Sequence, residues 1–238
     1  MITLVQGAQY LVQYHESADV YADIVIGSFK ASFQDLDANA IVTMGQDPRV
    51  KRMESNKIMY ASTVQEHPIW GLDRIDNRDA LTDKYDYPDE AGNSVTAYIV
   101  DTGINVEHED FGGRASWGFD ATDEGEFDGN GHGTHVAGTI GSDTYGVAKE
   151  ATLVAVKVLT SSGSGTNAGV LRGIEWVYKD AVSKGTAKSK KAVANMSLGG
   201  MFSQVINDAV KAAVDSGVEF VVAAGNERQD ACSGSPSR

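Results

Sequence analysis

A single cysteine, Cys232, is all that the 238 residues contain. An internal disulfide and a cysteine-based zinc cluster are therefore excluded. No stretch reaches the ~18 consecutive apolar residues of a membrane-spanning helix. Bases are scarce too: 20 Lys and Arg stand against 33 Asp and Glu, a formal charge of −13. That sign repels phosphate backbones and anionic headgroups, so neither nucleic acid nor a membrane is an expected partner, and solubility is its plainest role. Met1 to Leu11 lacks a basic segment followed by an unbroken apolar one, so no secretory signal is expected there. With 42% hydrophobic and 22% charged residues, the composition is that of a globular chain holding one large domain, or one medium and one small.

The first part reads as a small α+β unit ending near Ser62. Residues 9–15 alternate as a strand, Val20 to Phe33 holds a second, and Asp37 to Gly45 is a short helix capped by Asp37. Asp47 to Val50 turns into a strand through Met53, Lys57 to Tyr60 is a further extended piece, and residues 61–70 form a connector. Beyond it, apolar strands alternate with helices. The strands are Ser94–Val100, Leu153–Leu159, Ala192–Leu198 and Phe220–Ala224. The helices are His132–Ile140, Asn167–Val182 and Gln204–Ser216, the last stopped by Gly217. Val170, Ile174, Val177, Tyr178 and Val182 are the expected inner face of the second helix. Continuous apolar strands joined through helices give an α/β fold, a parallel sheet with helices on both faces.

Ligands of parallel sheets sit beyond the carboxyl ends of the strands. Asp101, Ser197 and Asn226 fall at such ends, and His132 opens a helix after a glycine-rich loop. A buried carboxylate that orients an imidazole, and a carboxamide NH₂ able to hold an oxyanion, are supporting parts of a serine hydrolase. Asp101, His132 and Asn226 are assigned those roles.

Four blocks stand in a fixed order: Asp101-Thr102-Gly103, His132-Gly133-Thr134-His135-Val136-Ala137-Gly138-Thr139, Asn195-Met196-Ser197-Leu198-Gly199-Gly200 and Ala224-Gly225-Asn226. In sequence and order they resemble the subtilisin-like serine proteases, over about residues 66–238. Trp70 to Ile75 and Thr144 to Ala148 resemble the proteinase K branch.

The resemblance implies a subtilisin-like peptidase domain over 66–238, incomplete at its C-terminus. It implies an inhibitory propeptide over 1–62, released near Ala61-Ser62, whose tail occupies the cleft as a partner. It implies a secreted, extracellular endopeptidase acting on protein or peptide substrates. Gly163, Ser164 and Gly165 resemble the edge that pairs with substrate backbone. Ser197, Leu198, Gly199 and Gly200, with Ala224 and Gly225, resemble the walls of the substrate pocket. The family's nucleophile lies in a Gly-Thr-Ser-Met-Ala block that opens a long buried helix, and no such block occurs here. The serines of Ser233-Gly234-Ser235-Pro236-Ser237 do not replace it. The chain alone is thus expected to be inactive, with one face of its sheet uncovered. The alternative is a non-catalytic relative that binds peptides.

Other readings of the same residues are plainer. A lone Asp-Thr-Gly also begins an aspartic protease loop, but that class needs two facing carboxylates. His132 and His135 could share a zinc, though no Glu follows His132; His135 is expected to pack inside. Asp120, Asp123, Glu124, Glu126 and Asp128 have the oxygen density for calcium but no regular ligand spacing, and read as a solvated loop. No metal or other cofactor is expected.

Overall fold

Period-two alternation in the first quarter of the chain builds a small antiparallel sheet. The computed structural model describes residues 8–56 and 62–237, in two compact units, Met1–Tyr60 and Ala61–Arg238. In the first, β1 (Ala8–Tyr14), β2 (Ile24–Ile26), β3 (Phe29–Leu36) and β4 (Val50–Ser55) lie in the order β2-β3-β1-β4. The stretch expected to be one strand within Val20–Phe33 is two, folded at Gly27, whose φ of 60° suits a hairpin turn. Helix α1 (Ala38–Gly45) starts where Asp37 accepts the Ala40 N–H at 2.8 Å. Ile41 and Met44 of α1 pack on Val12, Tyr14 and Leu36. The extended piece expected at 57–60 lies outside the described residues.

The second unit opens differently from the expected connector. Ser62–Glu66 is a strand, β5, paired antiparallel with β6 (Lys84–Pro88), with helix α2 (Trp70–Asp76) between them. No apolar alternation announces β5; its ladder is built by partners twenty residues downstream. Buried Asp73 turns the chain from α2 into β6 by accepting the N–H groups of Thr82 and Asp83. Burial pushes its carboxyl pKa up, but those bonds outweigh it and leave the group below the ordinary range.

Five parallel strands follow. They are β7 (Thr96–Asp101), β8 (Ala115–Asp120), β9 (Thr152–Lys157), β10 (Ala192–Met196) and β12 (Glu219–Val222), in the order β12-β10-β7-β9-β8. The two-residue β11 (Gly200–Met201) pairs with β13 (Gly234–Ser235) beside this sheet. Every residue of β7 is buried, as a central strand covered on both sides must be. Its Ala97 and Ile99 pack with Leu153, Ala155 and Ala137 of helix α3 (His132–Gly141). Tyr98 and Val100 face the other way, onto Val170, Ile174 and Val177 of α4 (Asn167–Ser183) and Ile206 of α5 (Gln204–Asp215).

The buried stripe of α4 runs through Val170, Gly173, Ile174, Val177 and Ala181. Tyr178 and Val182, expected on that face, are 38% and 49% exposed. Glycine and alanine at 173 and 181 let the helix lie close to the sheet and rotate the two larger side chains outward; a Cβ at Gly173 would press on the Val158 side chain. On the α3 side, the positions above β10 and β12 are Val193, Asn195 and Val221, and none is buried. That side of the sheet is covered over β7 and β9, half-buried at Val193 and Asn195, and open at Val221, which is 54% exposed. Among the described residues no helix is long and apolar enough to cross a membrane.

Candidate active site

Strand β7 ends at Asp101, and helix α3 begins at His132. The glycines between make the approach of these two ends physically admissible. At Gly133 a Cβ would overlap the carbonyl oxygen of Gly103 and sit 3.2 Å from Asp101 Cβ. Gly131, at φ 94°, supplies the left-handed turn into the helix. The result is a 2.7 Å contact between His132 Nδ1 and Asp101 Oδ1. An ionised carboxylate only accepts, so the proton belongs on Nδ1, leaving Nε2 as the basic nitrogen.

Asp101 is wholly buried, whereas the His132 side chain is 50% exposed. The carboxylate is thus sealed from water while the imidazole is open to a reactant. Burial raises the Asp101 carboxyl above its ordinary pKa, against the hydrogen bonds from His132 and from Thr102 N, which lower it.

The other expected site residues fall into two clefts. Ser197, Leu198, Gly199, Gly200, Ala224, Gly225 and Asn226 line one of about 640 Å³. Gly163, Ser164 and Gly165 line a neighbouring one of about 360 Å³, which shares Leu198, Gly199 and Gly200. Asp101 and His132 line neither. Ser197 directly follows β10, but Asn226 stands four residues past the end of β12, further than the expected strand end. The Asn226 N–H donates to Glu227 Oε2 at 2.7 Å. Gly163–Gly165 carries no strand ladder; it closes a turn in which Thr160 N donates to Ser164 O at 2.8 Å.

Two expectations near His132 are corrected. His135 is exposed, because the buried stripe of α3 is Gly133, Ala137 and Gly141 and His135 lies off it. The acidic run is exposed at Asp123, Glu124 and Glu126, as expected, but three of its five carboxylates hold the protein's own donors. Asp120 accepts from Thr122 and Gly125, Glu124 from both N and Oγ of Ser161, and Asp128 from Thr102, Asn130, Gly131 and Thr134. Those oxygens are committed to the protein's own donors, which does not fit a calcium cage. Among the described residues no group of three or more His, Cys, Asp or Glu is placed to hold a metal ion.

Sequence reasoning missed Lys157. It is fully buried at the end of β9, donating to Thr102 O at 2.7 Å and Leu159 O at 2.9 Å and pairing with Glu124 Oε2 at 3.2 Å. It joins the Asp101 strand end to the acidic loop, and through Glu124 to Ser161 beside the 163–165 turn. A lone lysine closing an apolar strand was the available signal, since buried lysines are nearly always paired.

Comparison with known proteins gives the same picture. A model of the subtilase family, peptidase S8, matches residues 92–238. The chain belongs to the subtilase family. It is 50% identical over 212 residues to the subtilisin-like serine protease Pen c 1 of Penicillium citrinum, covering 88% of this chain and 52% of that protein. It is 50% identical over 214 residues to the subtilisin-like serine protease Rho m 2.0101 of Rhodotorula mucilaginosa, covering 85% of this chain and 62% of that one. The crystal structure of a cold-adapted subtilisin-like serine proteinase superposes with a TM-score of 0.66 at 50% identity, over 72% of this chain and 61% of its own. The chain thus spans roughly half to three-fifths of the length of these curated relatives. In this subtilase the α/β sheet, and the strand and helix ends that carry Asp101 and His132, have the architecture expected from the sequence.

Proposed function

We propose that this subtilase chain carries the orienting carboxylate and the general base of a secreted serine endopeptidase that cleaves peptide bonds through an Asp-His-Ser triad. The observation that carries the reading is the 2.7 Å bond from the half-exposed His132 to fully buried Asp101. His132 Nε2 takes the serine proton as the hydroxyl attacks the scissile carbonyl, then passes it to the leaving amine; Asp101 holds the tautomer and stabilises the imidazolium. Asn226 is assigned the oxyanion. The clefts at 163–165, 197–200 and 224–225 are assigned the substrate backbone and side chain. No bound cofactor takes part, and residues 1–62 act as an inhibitory propeptide whose tail occupies the cleft.

The serine is assigned to no residue of 1–238. Among the described residues no serine hydroxyl hydrogen-bonds His132 Nε2. Ser235 is committed to the backbone of Ser203, and Ser237 to Ala231 O. Losing the nucleophile alone costs ~10⁶-fold in kcat in subtilisin itself, the reference case for this class. Residues 1–238 should therefore turn over casein no faster than a His132→Ala control. A longer product of the same gene that contains a Gly-Thr-Ser block should take a fluorophosphonate label, and the label should vanish in His132→Ala. Casein turnover by residues 1–238 well above that control, or labelling of the longer product that is indifferent to His132, defeats the proposal.

A further inference from the structure

The contact between Asp101 and His132 is made by two elements, and neither side chain by itself fixes how those elements meet. Helix α3 starts without a side-chain cap at Gly131. Its first-turn N–H groups would be orphans if nothing outside the helix took them. They are shared out: His132 N goes to Asn130 Oδ1 at 3.3 Å, Gly133 N to Thr102, and Asp128 takes Thr134 N together with the N–H groups of the two residues that lead into the helix. Its Oδ1 accepts Gly131 N at 2.9 Å and Asn130 N at 3.2 Å, and its Oδ2 accepts Thr134 N at 2.9 Å and Thr134 Oγ1 at 2.5 Å. A carboxylate at a helix N-terminus is also favoured by the helix dipole.

The same Oδ1 accepts the hydroxyl of Thr102 at 2.9 Å, and Thr102 Oγ1 accepts Gly133 N at 2.9 Å. One threonine hydroxyl therefore spans the end of β7 and the start of α3. Having a single proton, it can serve one carboxylate at a time, and here it serves Asp128. Asp101 Oδ2 is buried without any partner, while Oδ1 takes both Thr102 N and His132 Nδ1 at 2.7 Å.

We infer that Asp128 is a positioning residue: through Thr102 and the first turn of α3 it fixes where His132 stands. The inference rests on the reading of Asp101 and His132 as the catalytic pair. Without the Asp128 carboxylate, Thr102 Oγ1 and Thr134 N lose their common anchor, and the α3 turn loosens around His132.

The test uses residues 1–238 labelled with ¹⁵N-histidine. The proton between His132 Nδ1 and Asp101 should give a low-field resonance that is absent in His132→Ala and in Asp101→Asn. A resonance unaffected by those two variants sinks the catalytic-pair reading rather than the role of Asp128. In Asp128→Asn the exchange of this proton with water should speed up about tenfold, the equivalent of one lost hydrogen bond, with amide protection of Ile99 and Val156 in the central strands unchanged. A uniform rise across those amides means ordinary destabilisation and overturns the inference, as does an unchanged bridging proton. Should Asp128→Asn not fold, Thr102→Ser and Thr102→Val decide. Faster exchange in the valine variant alone supports the inference, and equal exchange in both defeats it.

Discussion

Replacing Gly133 by alanine should separate the two halves of the candidate site, and its size follows from local geometry. The new Cβ would overlap the carbonyl oxygen of Gly103 and lie 3.1 Å from Gly103 N and 3.2 Å from Asp101 Cβ, all of them atoms at or beside the β7 end. Backbone at the end of a fully buried central strand cannot step aside cheaply. Helix α3 must instead move by about 1 Å to restore van der Waals separation. That stretches the 2.9 Å bond from Gly133 N to Thr102 Oγ1 past its useful range and leaves a buried N–H unpaired, costing about 1–3 kcal/mol. Overpacking adds about 1–3 kcal/mol. Against both stands the better helix propensity of alanine, about 1 kcal/mol. The net expectation is a loss of about 1–5 kcal/mol. Urea unfolding followed by tryptophan fluorescence reads the right unit, because all three tryptophans, Trp70, Trp117 and Trp176, lie in Ala61–Arg238. Gly138→Ala on the same helix is the control: nothing lies within 4 Å of its Cβ, so it should be neutral or stabilising by up to about 1 kcal/mol. Equal unfolding midpoints for the two variants would refute the claim that close backbone approach sets the position of His132.

The charge of Asp101 should be a cost to folding at neutral pH. Its folded pKa is raised, burial outweighing the His132 bond, so its stabilising contribution exists below the ordinary aspartate value of 3.8 and is lost as pH rises through the raised one. Asp101→Asn should therefore melt higher than the parent at pH 7, with the gain closing as the pH is lowered, and a lower melting temperature at pH 7 contradicts this. Lys157→Met leaves Thr102 O and Leu159 O without their donor and Glu124 without its cation. It should cost about 3–5 kcal/mol, as breaking buried pairs does, with faster amide exchange at Ser161; a loss under about 1 kcal/mol would show the network to be dispensable.

The parallel sheet was legible because its strands are long apolar runs and its helices carry period-3.6 stripes, and burial enforces both patterns locally. Asp101 and His132 were legible for a related reason: each lies where a regular element meets a glycine-rich loop. The strand β5 was not, since nothing in Ser62–Glu66 marks it and its partner lies across α2. Nor was the outward rotation of Tyr178 and Val182, because glycine and alanine at 173 and 181 set the helix orientation by what they permit rather than by what they bury. Exposed His135 illustrates the same limit: a histidine three residues along the helix from His132 looked like core, yet small residues form the buried stripe.

The amino-acid order by itself determined the α/β class, the family resemblance and the choice of Asp101 and His132 as the proposed acid and base, because those rest on short-range patterns and residue chemistry. Only the tertiary structure decided that Asp128 and Thr102 hold the helix to the strand, that Lys157 is a buried tie, and that three members of an acidic run serve internal donors. Such roles depend on which donors reach which oxygens across segments up to 55 positions apart, as from Lys157 to Thr102. Hydrogen bonds weaken steeply with distance and angle, so only the folded coordinates settle them.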